Sequence, residues 1–158
     1  MTTPGCYTCD LVAKGDQAPR EQRIATDEFW LAGHAFGTAL PGWLVLVPRR
    51  HVTALADLTD AEAASLGSWQ VRLSRALHAV LRCEKTYVAQ FAEAEGFSHV
   101  HFHLIPRAAD LPPGLRGPRV FQLLGQTGAD EVPADQAIAI ADALAAWLAD
   151  HPAPAAAS

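Results

Sequence analysis

Three histidines alternate with apolar residues in the run His99-Val100-His101-Phe102-His103-Leu104-Ile105. Alternate side chains of a β-strand share a face. A strand here sets the three imidazoles side by side and buries Val100, Phe102 and Leu104 on its other side. Two chemistries are open to such a row. Three imidazoles can hold a catalytic metal that keeps a water in an open position. Alternatively, one imidazole attacks a phosphoryl group while its neighbours donate hydrogen bonds to the charge that develops. With a reference pKa of about 6.5, an attacking imidazole is largely neutral at pH 7 without special tuning.

A second chemical signal lies near the N-terminus, where Cys6 and Cys9 form a C-x-x-C pair. Such a pair alone is compatible with redox, structural or coincidental roles; two further ligands would close a tetrahedral zinc site. The chain has three cysteines, an odd number, which argues against a disulfide framework. Cys83 reads as a small buried hydrophobe. His34, in a glycine-flanked turn, and His78, on a helix, read as surface or capping residues, and His151 falls in the terminal tail.

The elements that must position these groups are short. Residues 1–19 read as an irregular arm. Arg23–Thr26 and Phe29–Ala32 read as two strands around a turn at Asp27-Glu28, and Trp43–Val47 as a buried strand stopped by Pro48. Thr59-Asp60-Ala61-Glu62 is a capping box, and Leu66, Trp69, Leu73, Leu77 and Val80 recur at helical spacing, which predicts a helix over about 60–82. Thr86–Phe91 and His99–Ile105 read as strands, the second ending at Pro106, and Asp110–Pro118 as a loop. Pro133 opens a helix through Trp147 with Ile140, Leu144, Trp147 and Leu148 on one face. Strands joined by tight turns around a single long helix predict an antiparallel α+β sheet.

The chain has 158 residues, half of them hydrophobic, with four Trp and six Phe. That suits one domain over 1–150 with its own core, followed by a frayed tail at 151–158. The net charge of −5 with no basic block argues against general nucleic-acid binding, while a local anion site remains open. The polar stretch Met1–Asp10 is unlike a signal peptide, and no run reaches the roughly 18 apolar residues of a membrane span. The expectation is a cytoplasmic protein with no membrane partner.

The run from His99 to Arg107, H-φ-H-φ-H-φ-φ followed by Pro-Arg, resembles the signature of the histidine-triad (HIT) family. Pro41-Gly42-Trp43-Leu44-Val45-Leu46-Val47-Pro48-Arg49-Arg50-His51-Val52 is similar to the family's Pro-Gly-His-x-Leu-Val-x-Pro-x-x-His strand. Cys6-x-x-Cys9 resembles the N-terminal pair of its zinc-binding bacterial members. The resemblance covers about Cys6 to Leu124. It implies a HIT-like antiparallel sheet of about five strands with one long helix; the C-terminal helix carries no family role.

The resemblance also implies a nucleotide-binding hydrolase or nucleotidyltransferase. It would act on phosphoric anhydrides or phosphoramidates at the α-phosphate, through a nucleotidyl-histidine on His101. His103 would donate to the phosphoryl oxygens, with Ser98 and Gln90 as further substrate contacts. Trp43 stands where the family usually has a histidine and is either plain core or a ring that stacks near a base. Glu95-Gly96-Phe97-Ser98 replaces a frequent Gly-Gln-Ser/Thr-Val run. A structural zinc is implied on Cys6, Cys9, His51 and His99, which removes His99 from catalysis. A homodimer pairing across the edge near Thr86–Phe91 is implied as well. Arg107 reads as a solvated strand end in preference to a phosphate partner. Two alternatives remain at this stage: a nucleotide-binding or sensing module with little turnover, and a metal-dependent hydrolase using the histidine cluster.

Overall fold

The computed structural model describes residues 3–153. Five strands form one antiparallel sheet: β1 (Ala25–Thr26), β2 (Trp30–His34), β3 (Leu44–Pro48), β4 (Lys85–Gln90) and β5 (Phe102–Arg107), in the order β1-β2-β3-β5-β4. Three helices accompany it: α1 (Tyr7–Lys14), α2 (Asp60–Leu81) and α3 (Ala134–Asp150). The α+β architecture is the expected one.

The alternation of the sequence becomes two faces. Trp30, Ala32, Leu44, Leu46, Phe102 and Leu104 point to one side and pack under α2 and α3 in the main core. Fully burying a Leu or Phe is worth about 1.5–3 kcal/mol, so these few residues commit the sheet to one register. The opposite face carries Leu31, Gly33, Val45, Val47 and His103, in the cross-strand rows Leu31↔Val47 and Gly33↔Val45↔His103. That face is where a ligand can lie.

α2 starts where the capping box predicts. The Thr59 hydroxyl accepts from the Glu62 backbone N–H, and Glu62 accepts from the Thr59 N–H. Glu62 also pairs with Arg50 just beyond β3. Asp27 shapes the β1–β2 turn by accepting from the Phe29 and Trp30 N–H groups, and its second oxygen accepts from Trp69 Nε1 of α2 at 2.6 Å. The hairpin is thereby docked on the helix.

Several expected boundaries shift for identifiable reasons. The arm is not irregular throughout, because Cys6 caps α1: its Sγ accepts from the Cys9 N–H at 3.4 Å. The first expected strand shrinks to Ala25–Thr26, since Arg20–Gln22 forms a short 3-10 turn, and the second runs on to His34. Pro48 and Pro106 lie inside β3 and β5 rather than ending them. Each falls past the last β3–β5 pair on its strand, so each strand has only one neighbour there and no ladder bond is lost. The histidine strand begins only at Phe102; His99–His101 precede it, anchored by the Val100 N–H donating to Val52 O at 2.7 Å. The loop over Asp110–Pro118 contains the 3-10 turn Pro113–Leu115 and the start of another, Gly117–Leu123.

His34 is buried rather than superficial. Its Nδ1–H donates to Ala35 O at 2.7 Å, which leaves Nε2 to accept the Gly42 N–H at 2.9 Å. Glycine suits this position because its φ is +84°, a conformation other residues adopt with strain. This pin delivers the chain into Trp43. Arg107 is not solvated; its side chain is 11% exposed and pairs with Glu84.

Within Gly128–Asp150 an 18-residue window reaches a mean hydropathy of 1.2, enough to cross a membrane by length and composition alone. Alanine supplies much of that value, and Ile140, Leu144 and Leu148 of α3 are buried in the core beside α2. His151 caps the helix and stacks on Trp147, with centroids 4.0 Å apart. Of the expected frayed tail, residues 154–158 lie outside the described residues.

Candidate active site and metal centre

Two groups of side chains meet beside the open sheet face. In the first, Cys6 and Cys9 at the start of α1 converge with His51 and His99, and their ligand atoms all lie within 4.8 Å of one another. Cys6 Sγ is 3.5 Å from His99 Nδ1, Cys9 Sγ is 3.3 Å from His51 Nδ1, and Cys9 Sγ is 3.8 Å from His99 Nδ1. A tetrahedral zinc with bonds of roughly 2.3 Å to sulfur and 2.0–2.1 Å to nitrogen separates S from N by about 3.6 Å. The quartet therefore has the donor set and spacing of a closed zinc site. Both cysteines and His99 are buried. Burial pushes the Cys6 thiol pKa up, against the backbone N–H of Cys9, and the nearby Cys9 sulfur raises it further. A cation removes that conflict, because metal binding takes the thiolate form.

His99 fits the role of ligand. Its Nε2–H donates to the carbonyl of Pro48 at 2.8 Å, so its Nδ1 lone pair faces the two sulfurs. Metal-binding histidines commonly spend their second nitrogen on such a carbonyl. Burial, opposed by the Pro48 bond, lowers the His99 pKa to about 4 and keeps the ring neutral.

The second group is His101 and His103, whose rings meet edge to face with centroids 4.9 Å apart. His101 Nδ1–H donates to the His99 carbonyl at 2.7 Å, so the proton sits on Nδ1 and the lone pair on Nε2. His103 has the opposite tautomer. Trp43 Nε1–H donates to His103 Nδ1 at 3.0 Å, which leaves the His103 proton on Nε2. Trp43 and Phe121 both meet the His103 ring edge to face. Burial, and then the charge of His101, lowers the His103 pKa to about 4.

Both rings open on a cavity of about 350 Å³ above Leu31, Gly33, Val45 and Val47. α1 forms one wall with Tyr7, Thr8 and Leu11, and Phe36 and Phe97 stand against Tyr7. One edge thus presents a nitrogen lone pair beside an N–H donor, and the rest is largely apolar and aromatic.

The HIT domain family model matches residues 18–110, more than half of the chain. The chain belongs to the HIT family. Among curated proteins, none matches it significantly. Solved HIT structures share the fold at low identity. A Zn-bound histidine triad family protein from Mycobacterium smegmatis has a TM-score of 0.66 at 20% identity, covering 93% of this chain and 97% of that one. A hypothetical histidine triad nucleotide-binding protein from Sulfolobus tokodaii has a TM-score of 0.69 at 13% identity, covering 92% and 93%. The diadenosine triphosphate hydrolase of Plasmodium falciparum, solved with Cyclomarin A, has a TM-score of 0.62 at 16% identity, covering 84% and 78%.

Within this HIT fold, Cys6, Cys9, His51 and His99 come together, and His101 and His103 share the cavity. None of the three expected substrate contacts lines it. Trp43 is fully buried in a core cluster with Ala35, Ile105, Leu111 and Val120, as the core reading expects, and it also donates to His103; it offers no free stacking surface. Gln90 pairs with Phe102, and paired residues share a face, which places Gln90 on the side opposite His103. Ser98 is exposed next to His99. The cavity instead uses Tyr7 and Thr8, the two residues between Cys6 and Cys9, with Gln22, Phe36 and Phe97, whose segments carry no motif beyond scattered aromatics.

The neutrality of His103 predicts a pH effect on stability. Its folded pKa lies below the unfolded value of about 6.5, so the unfolded chain binds more protons as pH falls. Stability is full above pH 6.5 and is lost toward pH 4, by an amount on the order of 3 kcal/mol from this group. Urea unfolding of wild type and His103→Gln at pH 7 and pH 4.5 checks this. The difference between the two pH values should shrink in the variant; equal differences refute the assignment.

Proposed function

We propose that this HIT protein is a nucleotidyl hydrolase or transferase that acts at the α-phosphate of a nucleotide through a covalent bond to His101. The observation that carries this reading is the pair of opposite tautomers on one cavity edge: a lone pair on His101 Nε2 beside an N–H on His103 Nε2. His101 Nε2 attacks phosphorus. A P–N bond forms, the bond from phosphorus to the leaving group breaks, and the electron pair departs with that group, which takes a proton from water. His103 donates to a non-bridging oxygen, where charge spreads in the transition state. The ring of the nucleotidyl-histidine is cationic, and the His99 carbonyl bonded to its Nδ1–H stabilises that charge. Water or another acceptor then attacks phosphorus and loses its proton, and the P–N electron pair returns to Nε2. Dinucleoside polyphosphates, nucleoside phosphoramidates, adenylyl-sulfate and nucleoside-diphosphate sugars all present this reacting centre.

Trp43 contributes by holding the His103 proton on the side that faces substrate. Cys6, Cys9, His51 and His99 hold a structural zinc in this reading, as the donor set and the Zn-bound relative suggest. A metal-hydrolase site on all three triad histidines is disfavoured, because His99 is turned to the cysteines and its other nitrogen is committed to Pro48. β4 is an edge strand with Val88 48% exposed, which suits pairing with a second copy of the chain.

Each part of this reading has its own measurement. Intact-mass analysis after mixing with diadenosine triphosphate or adenosine phosphoramidate should find a nucleotidyl adduct on wild type and none on His101→Ala, which should still bind AMP. His103→Gln should slow turnover by about 100- to 1,000-fold. His101→Ala retaining more than a few per cent of wild-type hydrolysis sinks the mechanism. Purified protein should carry about one zinc per chain, and Cys6→Ser should lower both zinc content and melting temperature. A zinc-free chain of equal stability removes the metal assignment. Light scattering at micromolar concentration should give a dimer, and a monomer there refutes the pairing.

A further inference from the structure

The cavity has a second end, remote from the histidines. Across its floor the row Gly33, Val45, His103 runs over β2, β3 and β5. Neighbouring strands lie about 4.8 Å apart, so Gly33 is about 10 Å from His103. The turn Arg20–Gln22 rests directly on Gly33. A side chain there would block it: a Cβ at Gly33 would lie 2.5 Å from the Gln22 carbonyl oxygen. An ion pair from Arg20 to Asp142 ties the same turn to α3. The glycine and the ion pair together hold Gln22 in the cavity wall.

Gln22 is only 7% exposed. Its Oε1 accepts from the Tyr7 hydroxyl at 2.7 Å, and among the described residues its amide nitrogen has no partner. The donor is uncommitted and in reach of the cavity, so a ligand acceptor can take the place of water there. The surroundings restrict that ligand further. Tyr7, Phe36 and Phe97 pack together with centroids 4.9, 5.4 and 5.9 Å apart. Among the described residues no Asp, Glu, Lys or Arg lines the cavity. Aromatic walls, no formal charge and one spare N–H fit a flat, neutral heterocycle with an acceptor on its edge. The span of about 10 Å from His103 suits a phosphate, a ribose and a base laid end to end.

We propose that Gln22 is a specificity-determining residue whose side-chain N–H donates to a ring acceptor of a nucleobase, while the phosphate lies at His101. This rests on the nucleotide reading above and adds to it which side chain reads the base. A phosphorylated sugar without a base leaves the donor unpaired and the aromatic end unfilled, and is discriminated against. Tyr7 acts as the positioning residue, because its hydroxyl turns the carboxamide so that nitrogen, not oxygen, faces the ligand.

Titration calorimetry on the full chain tests this with AMP, its 1-, 3- and 7-deaza analogues, and ribose 5-phosphate. Wild type should bind AMP at least about tenfold tighter than ribose 5-phosphate. Gln22→Glu keeps the shape and the acceptor for Tyr7 but removes the donor. Both it and Gln22→Leu should weaken AMP by about 5- to 10-fold or more and leave ribose 5-phosphate unchanged. One deaza analogue should show a similar loss on wild type and no further loss on Gln22→Leu. AMP affinity that is unchanged in both variants overturns the proposal and leaves the nucleotide reading standing. So does a wild type that binds all three analogues as tightly as AMP, an outcome that needs no variant to fold. A wild type that binds AMP no tighter than ribose 5-phosphate and forms no nucleotidyl adduct removes the nucleotide reading itself, and this proposal with it.

Discussion

The hydrogen bond from His99 Nε2 to the carbonyl of Pro48 is the constraint on which the rest of the site depends. It ties the end of β3 to the segment that leads into β5. Once that proton is committed, the remaining nitrogen of His99 can only face Cys6 and Cys9, and the His99 carbonyl is left to hold His101. One buried residue thus aligns the sulfur–imidazole quartet and His101 together. The neighbouring backbone bond from Val100 to Val52 keeps the segment in place when side chains move. Leaving a buried imidazole N–H unpaired would cost about 1–3 kcal/mol, so this arrangement has few competitors.

Three imidazoles spaced two residues apart are not three copies of one group. A proline carbonyl sets the proton of His99, a backbone carbonyl that of His101, and an indole that of His103. Burial then holds His99 and His103 neutral. Positive charge therefore does not accumulate beside His101, and in the proposed reaction the charge formed during attack would meet oriented dipoles instead of other cations. The indole matters because a donor in a dry environment fixes a tautomer more firmly than water does.

Much of this was legible in the sequence, because it depends on period and spacing. The capping box placed the start of α2, and the alternation of His with Val, Phe and Leu fixed which side of the sheet is dry. The resemblance to the family supplied the quartet, since two of its members lie far away in sequence. The misses have a common cause. Which face Gln90 occupies depends on its pairing with Phe102, and a shift of one residue reverses the answer. Pro48 and Pro106 looked like terminators because a sequence does not show that each strand has lost one neighbour at that point. Trp43 and Gln22 take their roles from partners 60 and 15 residues away, a bond to His103 and a bond to Tyr7. The pairings themselves leave no trace in the local sequence, although His103 lies in the histidine run and Tyr7 between Cys6 and Cys9.

α1 has two occupations at once: it begins at Cys6 and carries Cys9, and it walls the cavity with Tyr7, Thr8 and Leu11. An ion held by the sulfurs and a molecule held by the wall therefore act on one and the same docking equilibrium of this helix. Thermodynamic reciprocity then applies. Whatever factor the ion contributes to affinity for the molecule, the molecule returns to affinity for the ion. With zinc and ligand held as proposed, a ligand that gains affinity from the ion would raise affinity for the ion by the same factor, although His101 and His103 are untouched. Metal retention and ligand occupancy are in this sense two readings of how long one short helix stays on the sheet.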